Sequence, residues 1–496
     1  MAVGALAPGA RAAGSEGAAV TALRSCRVAG YEHDASCGVV RRPLDPGAPA
    51  GPMIDIHFAV LPALARNKQP DPVFVFAGGP GQSAIELAGS WSRLLARVGN
   101  RRDIVLVDQR GTGRSAKLAC PDLPPDTPLS QVLPEAAQHA RLDACRVELQ
   151  RLPHGDLRRY TTTLAMQDVE AVRLALGAAR VNLVGASYGT RAALEYQRQF
   201  PRAVRRVVID GVAPPDMVLP AAFSTDSQAA LEAMFAACEH DQAGCNSRHP
   251  ALRAQWQALL AALPREVTVA HPVSGAAERV TLTREALLSL VRGPLYAPAL
   301  AAGLPRAIGE AAQGRFEPLL GLASGLAPSR SGALAEGMHF SVVCAEDLPR
   351  LEAGAASAWA ESGNAPGADF RAGFAEHYRR ACAMWPRGEV PSAFYTLPEA
   401  LAPVLVLSGG ADPATPPRHG ARVARALGGK ARHVVVAEAG HGVMGLPCMR
   451  DVLFRFIAAE GDAEALALKA DCAAQVPRPP AFVPPGTAPG AAGRRP

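Results

Sequence analysis

No apolar run in this 496-residue chain approaches the roughly 18 residues that a membrane-spanning helix needs, so no transmembrane segment is expected. Lysine is scarce: Lys68, Lys117, Lys430 and Lys469 are the four present, and arginine carries the rest of the basic charge. No basic run exceeds a pair and the net charge is only +6, which argues against a nucleic-acid surface. The first stretch, "MAVGALAPGARAAGSEGA", lacks a basic segment ahead of an apolar core and reads as a poor signal peptide. The expectation is that the true start lies upstream or that a signal has been removed. The ten cysteines include no C-x-x-C pair and no metal-ligand spacing, so neither a metal nor an organic cofactor is implied.

What the cysteines do show is neighbourly order. Cys26 and Cys37, Cys120 and Cys145, Cys238 and Cys245, Cys344 and Cys382, and Cys448 and Cys472 follow one another along the chain. Sequential disulfides in an exported protein fit this better than ten reduced buried thiols, so a secreted or periplasmic location is expected. Each such short loop is worth roughly 2.5–4 kcal/mol in the loop-entropy picture.

Hydrophobic residues make up 49% of the chain, an ordinary globular share. Residues 1–24 and the Pro/Gly/Ala tail 476–496 read as disordered, because such compositions bury no core of their own. Between them, apolar runs alternate with helical stretches. "IDIHFAVLPA" (54–63) alternates like an antiparallel strand, and "PVFVFAGGPG" (72–81) is a buried strand running into glycines. "RDIVLVDQRGTGRS" (102–115), "VNLVGASYG" (181–189) and "VRRVVIDGVAP" (204–214) repeat that plan, with helices expected at 164–176 and 190–200. Strand and helix in alternation mean a mostly parallel α/β sheet with helices on both faces. From 216 to 399 the rhythm becomes helical, with helices expected at 224–240, 250–263, 283–294 and 350–362. Strand patterns return in "APVLVLSGGADPATPP" (402–417) and "ARHVVVAEAGHG" (431–442). The expected organisation is core at 25–215, an inserted helical cap at 216–399, and core again at 400–475.

In open α/β sheets ligands bind beyond the carboxyl ends of the strands. G-x-S-x-G at 185–189 lies between a strand and a helix, the context in which it holds a nucleophilic serine, Ser187, on a sharp turn. Serine needs a base, and the base an orienting carboxylate. Asp412 ends a later strand and His441 follows the next one, flanked by glycines, in the chain order Ser, Asp, His. Asp210 is the rival carboxylate, more simply read as capping the loop before "GVAPP"; His433 and His419 are weaker candidates for the base. Oxyanion donors are expected from the N–H of Tyr188 and, in the "GGPG" loop, of Gly79. Asp108 and Arg110 in "DQRGTGRS", which is not a dinucleotide fingerprint, are read as ties between loops. Thr415 is placed to cap the next helix or to steady the Asp412 loop.

"GGPG", "DQRGTGRS", "GASYG", "GADPATPP" and "AGHG" in this order resemble the proline iminopeptidase and tripeptidyl-aminopeptidase branch of the α/β-hydrolases. The resemblance covers about residues 50–215 and 400–475, with the cap between, and the part from the Asp412 strand through Cys448 resembles the C-terminal TAP-like domain. It implies an exported serine exopeptidase acting on free peptide N-termini. Ala77 stands where the iminopeptidase loop carries histidine, which argues against strict proline specificity. An aminopeptidase must hold its substrate's ammonium, and Glu346 and Asp347, beside Cys344 in the cap, are the candidates. Trp256, Tyr296, Trp359, Trp385 and Tyr395 are read as core packing or pocket walls. The expected partner is a peptide with a free N-terminus. A small-ester hydrolase with the same triad is the alternative, and a non-catalytic binding module requires the ordered triad to be coincidence.

Overall fold

The computed structural model describes residues 22–325, 333–354, 369–370, 373–397 and 399–484. Its centre is a nine-stranded sheet in the order β1-β2-β3-β5-β4-β6-β7-β10-β11. The strands are β1 Arg24–Cys26, β2 Ala35–Pro43, β3 Met53–Leu61, β4 Val73–Phe76, β5 Ile104–Val107, β6 Val181–Ala186, β7 Val204–Asp210, β10 Val404–Gly409 and β11 Ala431–Val436. β1, β2 and β3 pair antiparallel, as does β3 with β5; from β5 to β11 every pairing is parallel.

The parallel strands are short and apolar because helices cover both their faces. In β4, Phe74 and Phe76 enter one core while Val73 and Val75 enter the other. β10 divides in the same way, Val404 and Val406 against Leu405 and Leu407. The period of two sends successive side chains to opposite layers, so each such strand reads as a continuous apolar run.

Residues between β7 and β10 form the cap. Its helices Leu219–His240, Leu252–Ala261 and Arg284–Leu295 contribute to a separate core in which Trp256, Phe235 and Leu287 are fully buried, while Glu336–Glu346 and Gly373–Ala383 pack into the larger core of the sheet. The helix expected at 350–362 runs into residues outside the described ones; Leu348–Glu352 is the described part. One correction concerns strands: the cap also holds an antiparallel hairpin, β8 Arg265–Ala270 with β9 Ala277–Leu282. Its charged, half-exposed residues hid the alternation that marks a buried strand.

All five neighbouring cysteine pairs are disulfides, with Cα–Cα separations of 5.9, 5.3, 5.0, 5.3 and 6.2 Å in chain order, and no described cysteine is free. Both terminal readings need revision. Arg24 already belongs to β1, where it pairs with Cys37 of β2. Residues 476–484 lie across the molecule: the Phe482 N–H donates to Ala302 O at 2.8 Å, Arg478 Nε reaches Glu438 at 2.6 Å, and Ala481 packs on the cap core. A proline-rich segment needs no core of its own when it is laid along an existing surface. Among the described residues no helix is long and apolar enough to cross a membrane.

Candidate active site

Ser187 stands between β6 and the helix Tyr188–Gln199 with φ +55° and ψ −123°, a left-handed conformation rare for a residue with a side chain. The turn closes because its neighbours lack side chains. A Cβ on Gly185 would lie 2.3 Å from Gly189 O, and one on Gly189 would lie 2.1 Å from Phe76 O. The turn is tied from beneath: Ser187 N–H donates to Asp210 O at 2.9 Å, and Thr190 Oγ1 donates to Ser187 O at 2.6 Å. Tyr188 begins the helix, so its N–H has no acceptor within that helix. Its phenol is buried against Thr162 Oγ1 at 2.7 Å.

Asp412 and His441 meet where β10 and β11 end. His441 Nδ1 lies 2.8 Å from Asp412 Oδ2, and Asp412 is 1% exposed. Asp412 is held on every side. Its Oδ1 accepts from the N–H groups of Ala414 and Thr415 at 2.8 and 2.9 Å, and Thr415 Oγ1 donates to Oδ2 at 2.8 Å. Thr415 Oγ1 is also 3.1 Å from His441 Nδ1, so it steadies the pair, one of the two roles expected for it. Burial would raise the Asp412 carboxyl, but the charge and hydrogen bond of His441 outweigh it and leave its pKa lowered. Burial pulls the imidazole down in the same way, and the Asp412 carboxylate more than reverses this, leaving its pKa raised above the ordinary 6.5.

The glycines beside His441 have a physical reason. His441 N–H donates to Tyr296 O at 2.9 Å, and a Cβ on Gly440 would lie 2.3 Å from that same carbonyl oxygen. The Tyr296 ring then stands edge-on to the imidazole, with centroids 5.0 Å apart, and Arg292 bonds the Tyr296 hydroxyl at 2.6 Å. The cap therefore grips the histidine loop directly. From the core side, Asp210 Oδ2 accepts the N–H groups of Val443 and Met444, both at 2.7 Å. Asp210 thus secures the His441 loop, where the sequence suggested a cap for the loop before "GVAPP". Burial pushes its carboxyl up to about 6, against the pull of those two amides.

Ser187 and His441 converge on the end of β7. Asp210 O holds the Ser187 amide, and a Cβ on the next residue, Gly211, would lie 3.3 Å from His441 Cε1. The "GGPG" loop lies alongside: a Cβ on Gly78 would be 3.2 Å from Ser187 Cβ, and Gly79 has φ +110°. His339, from the cap helix Glu336–Glu346, secures this loop. Its Nδ1 is 3.1 Å from Pro80 O and its Nε2 2.7 Å from Tyr378 Oη. Burial keeps His339 below the ordinary histidine range, so a neutral ring donates from Nδ1 and accepts at Nε2. The structure pairs Asp412 with His441 and places the His441 ring, the turn of Ser187 and Tyr188, and the loop of Gly78 and Gly79 around the ends of β6 and β7. Nothing in the local sequence signals His339 or Arg292, which arrive from a distant insertion.

Glu346 and Asp347 sit elsewhere than expected. Both are 1% exposed and surround the fully buried Arg191 of the Ser187 helix, at 3.4 and 3.0 Å. Glu346 also accepts from Thr162 N–H at 2.7 Å, and Asp347 from Leu219 N–H at 3.0 Å. Their oxygens are engaged by the Arg191 guanidinium and by backbone amides. Burial pushes Glu346 up to about 7 although Arg191 pulls the other way. Asp108 and Arg110 tie loops as expected. Asp108 accepts from Ser83 Oγ, Ile85 N–H and Arg114 N–H, while Arg110 forks onto Asp168 at 2.7 and 2.9 Å. His419 is committed to Asp226 and His433 to Ser408. Trp256 and Trp385 are core residues that donate to Asp369 and Ser341, and Tyr395 donates to Glu346 O. Trp359 lies outside the described residues.

Known proteins match this architecture. The family described as "alpha/beta hydrolase fold" matches residues 71–245, and the family described as "TAP-like protein" matches residues 368–465. A tripeptidyl aminopeptidase of Streptomyces coelicolor is 28% identical over 222 residues, 40% of this chain and 41% of that protein. The serine protease Hip1 of Mycobacterium tuberculosis is 28% identical over 193 residues, 37% of this chain and 36% of that protein. A proline iminopeptidase of Xylella fastidiosa is 27% identical over 148 residues, 29% of this chain and 34% of that protein. The chain spans about two fifths or less of the length of these relatives.

Proposed function

The chain is an α/β-hydrolase with a TAP-like C-terminal part, and from that premise we propose that it is an exported serine aminopeptidase releasing short units from free peptide N-termini. The observation that carries this reading is the Asp412–His441 pair at 2.8 Å, fixed beside a serine on a strained strand-to-helix turn. His441 takes the Ser187 proton at Nε2 while Asp412 holds Nδ1–H and offsets the imidazolium charge. Ser187 Oγ attacks the carbonyl, and the N–H groups of Gly79 and Tyr188 receive the oxyanion. His441 returns its proton to the leaving amine. Water, deprotonated by the same imidazole, then releases the acyl group.

Two observations favour a peptide substrate. The curated relatives are named peptidases, and a cavity of about 490 Å³ opens between the cap and the helix Glu135–Leu149, with Glu135, Phe223, Arg292, Phe374, His377 and Tyr378 in its wall. That volume accommodates a short peptide unit. Ser187, Asp412 and His441 are not in this wall; Arg292 links it to His441 through Tyr296, and Tyr378 links it to the Gly79 loop through His339. The five disulfides support export. Turnover of free-amine tripeptide anilides, their N-blocked counterparts and simple esters tests the reading. Free-amine anilides are expected to be preferred; equal turnover of blocked peptides, or faster turnover of esters, refutes the aminopeptidase assignment.

A further inference from the structure

Away from Ser187, three metal-ligating side chains converge where the helix Glu135–Leu149 meets the helix Gly373–Ala383. Glu135 opens the first helix and His139 follows one turn later, so the two share a face. His377 comes from the second helix. His139 Nε2 is 3.2 Å from Glu135 Oε1, and His377 Nδ1 is 3.9 Å from the same oxygen. All the ligand atoms lie within 4.8 Å of one another, and all three residues are half-buried. Glu135 and His377 also line the cavity assigned above to the peptide, but none of the three takes part in the proton transfers at Ser187.

We propose that Glu135, His139 and His377 bind a divalent transition-metal ion, with Zn²⁺ the natural occupant. Ligands placed about 2.0–2.1 Å from a tetrahedral Zn²⁺ stand roughly 3.3 Å apart, close to the 3.2 and 3.9 Å separations here. Two imidazoles with one carboxylate favour zinc and its transition-metal neighbours over Mg²⁺ and Ca²⁺, which take oxygen ligands. The two rings lie side by side with centroids 4.7 Å apart. Arg380 Nη1 is 3.9 Å from Glu135 Oε1. Its side chain is 60% exposed and also paired with Glu376, so it can turn away from an arriving ion.

The position gives the ion structural leverage. The first helix carries Cys145 and the second Cys382, each already bonded to another segment, to Cys120 and to Cys344 respectively. The three ligands would join these two helices to each other, across the boundary between the core and the cap.

Calorimetric titration of Zn²⁺ into the chelator-stripped full chain tests the proposal, with X-ray absorption on the loaded protein. One saturable site per chain is expected, with two imidazoles among the ligands. His139→Ala and His377→Ala should each weaken binding by at least roughly 10–100-fold, while Arg380→Ala should bind as tightly or more tightly. Circular dichroism of the metal-free variants separates loss of a ligand from loss of fold, and the absorption spectrum of the wild type needs no variant. Absence of a saturable site in the wild-type chain, a loaded spectrum without two imidazoles, or unchanged affinity in both folded histidine variants overturns it.

Discussion

Replacing Asp210 with asparagine separates the two buried carboxylates near His441 and tests which one serves the imidazole. Asp210 is fully buried and accepts two amide bonds at Oδ2, while its Oδ1 has no hydrogen-bond partner among the described residues. Burial moves its carboxyl from the ordinary 3.8 to about 6. Between those values the native chain keeps a proton that the unfolded chain has released. Stability from this group is therefore complete below about pH 4 and is lost as pH rises through about 6. A shift of about two pH units corresponds to about 3 kcal/mol. Asparagine keeps one oxygen for both amides and does not titrate. The stability of Asp210→Asn relative to wild type should thus swing by about 3 kcal/mol in favour of asparagine between pH 4 and pH 7.5. Urea unfolding at the two pH values reads this directly, because other titrating groups cancel in the difference. Since Nδ1 belongs to Asp412, the variant should retain turnover within roughly tenfold, whereas Asp412→Asn should lose about 10⁴-fold. A stability difference that does not change with pH, or an Asp210→Asn variant as inactive as Asp412→Asn, would refute the reasoning.

Three further outcomes follow from the same geometry. With the His441 pKa raised, neutral imidazole accumulates only above the ordinary histidine range, so the acid limb of kcat/KM should lie above pH 6.5 and move down in Asp412→Asn; a wild-type limb at or below 6.5 contradicts this. Arg191→Met strands Glu346 and Asp347 beneath the Ser187 helix and should cost about 3–5 kcal/mol in urea unfolding, a loss under about 1 kcal/mol counting against it. Removing the Cys344–Cys382 bridge as a double serine variant opens a loop with a sequence separation of 38 and should cost about 4 kcal/mol, so an unchanged unfolding midpoint would contradict the loop-entropy account.

The parallel strands were legible because burial on both faces leaves no room for polar residues, as in "VFVF" and "IVLV". β2, "ASCGVVRRP", is hard to read because mixed exposure breaks its alternation, and the hairpin β8–β9 because its inward positions, although they alternate in burial, include Arg265 and Glu278. Ser187, Asp412 and His441 stood out because each sits just past a strand, and strand ends converge on one edge of such a sheet. Burial and pairing across the chain left no comparable trace. Glu346 and Asp347 suggest an ammonium anchor in the sequence, but Arg191, more than 150 positions earlier, lies between them. The same holds for His339 on Pro80 and Tyr296 on His441: each joins an inserted segment to the core, and local sequence does not encode such a contact. Glu135 and His139 have helix spacing that sequence can display, but their companion His377 lies on a helix near the end of the cap.

Labelling with a fluorophosphonate probe tests the central claim most directly. The wild-type chain should be labelled at Ser187, and Ser187→Ala should remain folded and unlabelled. Persistent labelling of the folded Ser187→Ala variant would contradict the account.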